Sequence, residues 1–195
     1  MPFFDVIANI FVKAQGIIAI LSFAVTLIAL IIQQRRLIRA QKQQTYQRLE
    51  LASNEVFRFS ASHAGVLVRY QASQPDPSID FQNMIVENSV ADNHIFQTLN
   101  LFEMAVRFRH AGILEDDVFG SWVIWYHEML ESWYFRHIWP AIRPNYTKDM
   151  QRIFDGPVRD FDPRMDDAER REKFFAHVAK ELDCPVVKRW LRDAA

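Results

Sequence analysis

The sequence has one cysteine, five glycines and no internal repeat, and each shortage excludes something. A single thiol, Cys184, forms no disulfide within the chain, so the fold needs no oxidising compartment. So few glycines, with long stretches that carry no turn signal, argue against a protein built from many short strands. No HExxH or CxxC pair is present to hold a metal, and no G-x-S-x-G, P-loop or GxGxxG to hold a nucleophile or a phosphate. An acidic balance over residues 50–195, behind a short basic collar, is a poor footprint for nucleic acid, which wants a basic face to displace counterions.

What is abundant is phenylalanine, with sixteen residues, in a chain that is 50% hydrophobic yet 24% charged. The two figures coexist because the apolar residues are unevenly spread. Residues 14–34 contain no charged side chain, and residues 17–32 are almost all Ile, Leu, Ala, Val and Phe. At ~1.5 Å per helical residue this stretch reaches roughly 31 Å, the thickness of a bilayer's hydrocarbon core. A buried core helix would have to be apolar on every face with no comparable partner. A signal peptide would have a basic start and a shorter run, whereas residues 1–5 carry no basic side chain. The stretch is therefore expected to be an uncleaved transmembrane helix.

The charges orient it. Residues 1–49 hold six basic side chains against Asp5 alone, a balance of +5, and the remaining 17 basic and 23 acidic residues give −6. Arg35, Arg36, Arg39 and Lys42 form a basic collar directly after the apolar run. The positive-inside rule places that side in the cytoplasm. The expected organisation is a short extracytoplasmic N-terminus over residues 1–13, a transmembrane helix over 14–34, a polar stalk over 35–48 and a soluble helical domain over 49–195, in the cell (inner) membrane.

Within the apolar run, Gln15, Ala19, Ser22, Thr26, Ala29 and Gln33 recur at alternating spacings of three and four. Helices associate in lipid through small residues that permit close approach and through polar side chains that bond across, so this stripe is a candidate homo-oligomeric seam. The alternative is chance, since Ala, Ser and Thr are common in spanning helices.

Beyond the stalk, Leu49, Ala52, Val56, Phe59, His63, Val66 and Tyr70 continue the 3–4 alternation, as for a helix docking on its own domain or on a neighbour's. Residues 71–77, with Pro75 and Pro77, are a loop. Helices are expected over about 81–110, ended by Gly112, and from about 115, with Trp139-Pro140 as the break. A short helix over 145–154 should stop at Asp155-Gly-Pro157. Asp166 opens the next with D-x-x-E spacing, and Pro185 opens a last one. The fold class is all-α: one N-terminal transmembrane helix continuing into a stalk, then a bundle of about five helices.

The candidate chemistry is sparse. His127 and Glu131, four apart, can face one ion, but a second such pair is missing and a surface or capping pair is the plainer reading. Glu103 and Arg107, with Arg109 nearby, read as an i,i+4 ion pair unless a cleft exposes them. Seven aromatic residues crowd residues 122–139. Trp122, Tyr126 and Trp133 share a face and should be core, whereas Trp125, Tyr134 and Phe135 lie off it and form a candidate contact patch.

The stretches Ser53-Asn-Glu-Val-Phe-Arg-Phe59, Leu99-Asn-Leu-Phe-Glu-Met-Ala-Val-Arg-Phe-Arg109, Ala111-Gly-Ile-Leu114 and Val118-Phe-Gly-Ser-Trp-Val-Ile-Trp-Tyr126 resemble an uncharacterised family of bacterial membrane-anchored proteins, domain of unknown function 4760. The resemblance spans roughly residues 35–145. It implies a bacterial protein with one membrane helix and an α-helical cytoplasmic region, and it transfers no active site. The function expected is a membrane-tethered, self-associating interaction or scaffold module, with the bilayer and an unidentified cytoplasmic protein as partners, no nucleic acid and no cofactor. A small membrane effector of stress or phage response is the second expectation, and an enzyme with an unrecognised site the third.

Overall fold

A computed structural model describes residues 2–77 and 80–193, with the side chains of residues 21–77 and 80–190. The chain is all-α, and no strand occurs among the described residues. Eight α-helices are present there, seven of them after the N-terminal one, against the bundle of about five anticipated. The extra ones arise because single residues break what the periodicity joins.

The first helix, α1 (Pro2–Ser62), contains a stretch long and apolar enough to cross a membrane, none of it buried in the protein. Its apolar side chains from Leu21 to Ile38 point outward. The chain divides into two compact units, Met1–Thr45 and Tyr46–Ala195.

In the second unit, the final turns of α1 bury Leu49 and Val56, so the second 3–4 seam packs within its own domain. That seam is interrupted at His63, where the backbone leaves helical geometry before α2 (Ala64–Gln71). Its register survives the break, for Tyr70 is fully buried. A 3-10 turn (Phe81–Asn83) leads into α3 (Ile85–His110), whose inner face is Ala91, Ile95, Thr98, Phe102, Ala105 and Val106. Gly112 adopts φ +66 just past its end, a conformation that costs glycine little.

Helix α4 (Asp116–Glu131) stops at Ser132, well before Trp139-Pro140. Ser132 then accepts a hydrogen bond from the Phe135 N–H as the N-cap of α5 (Trp133–Ile142), which contains Pro140. A 3-10 turn (Arg143–Asn145) precedes α6 (Lys148–Arg159). Pro157 lies inside α6, so the expected stop at Asp155-Gly-Pro157 is displaced to Asp160. Asp166 caps α7 (Asp167–Glu181) by accepting from the Ala168 N–H, and Pro185 opens α8 (Pro185–Asp193).

Helix α4 is the hub, packing against α3, α5, α6, α7 and α8. Around it the rings of Phe102, Tyr126, Phe135, Trp139, Phe154 and Phe174 form one continuous cluster, with Phe154 touching four of the others at 5.0–6.3 Å between centroids. All six are at most 2% exposed. Burying one such side chain stabilises the fold by about 1.5–3 kcal/mol, and ring contacts add to that. Here Phe135 and Tyr134 depart from expectation. Both are core, not contact patch. The break at Ser132 re-aims the chain, so faces counted along one uninterrupted helix no longer apply to residues 134 and 135. Tyr134 donates its hydroxyl to Asp92 Oδ1 at 3.0 Å.

Candidate functional site

A cavity of about 440 Å³ opens within the second unit, between the last turns of α1, α2, α3 and α4, with α7 at its edge. Val56, Leu67, Ile95, Phe102 and Met129 make its walls apolar. Trp125, the remaining member of the expected contact patch, is half-buried on its rim. There it stacks edge-on with Phe57 at 4.5 Å and Trp122 at 5.6 Å. An apolar hollow with a few polar groups converging on it is the usual form of a ligand site.

The polar groups lie on two sides. On the first, His94 of α3 places Nδ1 3.2 Å from Ser60 Oγ and Nε2 3.3 Å from Gln71 Nε2. Burial lowers the His94 pKa from 6.5, so the ring is neutral near pH 7. One ring nitrogen of the neutral imidazole donates and the other accepts, so His94 links Ser60 and Gln71 into one polar group. Ser60 also sits inside α1, where the surrounding N–H groups are committed to the helix instead of forming an oxyanion hole. The group offers hydrogen bonds to a guest in the cavity.

On the second side, His127 and Glu131 of α4 meet Asp167 and Arg170 of α7. Arg170 donates Nε and an Nη to the two Glu131 oxygens, each at 2.8 Å. Burial pushes the Glu131 carboxyl up, but the contacts with His127 and Arg170 outweigh it and hold it at about 2. This carboxylate is charged at any physiological pH.

The other sequence candidates are structural. Glu103 accepts from the Thr147 N–H at 2.8 Å, at the start of α6, and its pair with Arg107 is looser at 3.5 Å. Arg109 binds Asp116 and donates to the carbonyls of Leu182 and Asp183, closing the end of α7. Cys184 is fully buried. On α1, Arg35, Arg36 and Arg39 are exposed and Lys42 is half-buried. Ser22, Thr26, Ala29 and Gln33 are exposed, with Thr26 Oγ1 donating to the Ser22 carbonyl at 2.8 Å. The side chains of Gln15 and Ala19 lie outside the described residues.

Sequence reasoning found His127 with Glu131 but missed Asp167, Arg170, Ser60 and His94. Ser60 and His94 are 34 positions apart and Glu131 and Arg170 are 39 apart, with no motif linking either pair. No family model, no curated protein and no solved structure matches this chain.

Proposed function

We propose that this protein is a membrane-tethered interaction module: a single-pass anchor in a bacterial inner membrane, N-terminus outside, presenting a helical binding domain to the cytoplasm. The observation that carries this reading is the wholly unburied apolar surface of α1 from Leu21 to Ile38, on a chain whose other unit already has a closed aromatic core. So much bare apolar surface on one helix is satisfied by acyl chains. The collar Arg35, Arg36, Arg39 and Lys42 supplies the orientation.

The cavity supports action by binding, since its apolar walls and the His94–Ser60–Gln71 group suit a guest with an apolar body and a polar end. Self-association through the exposed Ser22, Thr26, Ala29 and Gln33 stripe completes the proposal. The test is alkaline carbonate extraction of native membranes, combined with a C-terminal fluorescent fusion and protease added from outside. Retention in the pellet and a protected, fluorescent C-terminus are expected. Release into the supernatant, or digestion of the fusion from outside, overturns the tether or its orientation respectively.

A further inference from the structure

One group at the α4–α7 contact is not accounted for by packing. His127 is 2% exposed, and its Nε2 is buried with no hydrogen-bond partner. Buried ring nitrogens are ordinarily met by a proton donor, an acceptor or a metal. Here Glu131 Oε1 stands 3.3 Å away without hydrogen-bonding geometry, and Asp167 brings a carboxylate oxygen within 4.8 Å of both atoms.

We propose that His127, Glu131 and Asp167 form a binding site for a divalent transition metal of the zinc type, on the wall of the cavity. A mixed nitrogen and carboxylate set suits zinc and its first-row neighbours, whereas calcium and magnesium take oxygen ligands. Zinc holds nitrogen and oxygen at about 2.0–2.1 Å in a tetrahedron, which puts ligand atoms about 3.3 Å apart. The His127–Glu131 separation already has that value. Asp167 closes the remaining distance by rotating, since its side chain is 56% exposed.

Arg170 is compatible with this arrangement. Its two hydrogen bonds occupy one lone pair on each Glu131 oxygen and leave another on Oε1 for a metal, with the guanidinium orienting the ligand from behind. The Asp167–Arg171 pair, at 3.5 Å, is exposed on both sides and costs little to exchange, and Arg170, 3.6 Å from Asp167, keeps its two shorter bonds to Glu131. Two nearby guanidinium charges oppose a cation and weaken its binding. All three residues line the cavity. The site is independent of how the chain is anchored.

The experiment uses the tag-free full-length protein in mild detergent, titrated with Zn²⁺ by calorimetry and with Co²⁺ by visible absorption. One ion per chain is expected, with the intense visible bands of tetrahedral Co²⁺. Asp167→Asn should weaken binding by at least about tenfold, and His127→Gln should abolish it. Because His127 is buried and its variant can fail to fold, the exposed Asp167→Asn decides the matter with circular dichroism as the folding control. Absence of stoichiometric binding, or Zn²⁺ affinity unchanged in a folded Asp167→Asn, overturns the site.

Discussion

At Gly120 the missing side chain lets α8 lie against α4. A Cβ there would fall 2.7 Å from Val186 Cγ1 and 3.0 Å from the Trp190 ring. Val186 is buried, 4% exposed, so its methyl must shift within packed surroundings. Gly120→Ala gains about 1 kcal/mol of helix propensity but meets an overpacking cost of about 1–3 kcal/mol. A net loss is expected, read as a lower urea midpoint with an unchanged slope. At Glu131 the charge is what matters. Its carboxyl is held at about 2 against an ordinary 4.5, so its stabilisation is fully present above about pH 4.5 and is lost as pH falls towards 2. Glu131→Gln should cost roughly 2–4 kcal/mol near pH 7, because it removes the charge that answers Arg170 at a part-buried site and leaves the looser Asp167 pair and the Met165 carbonyl. The cost should shrink steadily below pH 4.5, which denaturant titration across that range measures.

Among the elements, the turn from α4 to α5 has the most consequence. Ser132 caps α5 through the Phe135 N–H, donates to the Tyr70 carbonyl at 2.8 Å, and is followed by Trp133 N–H bonding to the Ala72 carbonyl. One hydroxyl thus starts α5 and ties its first turn to α2. Ser132→Ala should lose about 1–2 kcal/mol, with amide exchange accelerating first in α5. This is also where reading by periodicity fails. Aromatics run through residues 122–139 without a glycine or proline before Pro140, so nothing local announces the stop. Only the pairing of Ser132 with α2, sixty-two residues earlier, makes it worthwhile. Pro157 misleads in the opposite sense, since it reads as a terminator and sits in the last turn of α6.

On the scale of the whole molecule, the proposal of a self-associating anchor makes a direct prediction. Ser22→Leu/Thr26→Leu should lower the oligomeric mass of the full-length protein in mild detergent while leaving its helicity intact. Equal masses by light scattering would remove the seam. The all-α class, the apolar helix, the basic collar and the Asp166 and Pro185 helix starts are all local properties. Apolar runs, caps and proline geometry act within a few residues, and so they can be read along the chain. The cavity and its two polar groups could not, because Ser60 meets His94 and Glu131 meets Asp167 and Arg170 through the packing of separate helices. Nor could the burial of Tyr134 and Phe135, which depends on where α5 points after Ser132. Contacts between distant segments are set by how faces fit together in three dimensions, and no spacing in one dimension encodes that fit.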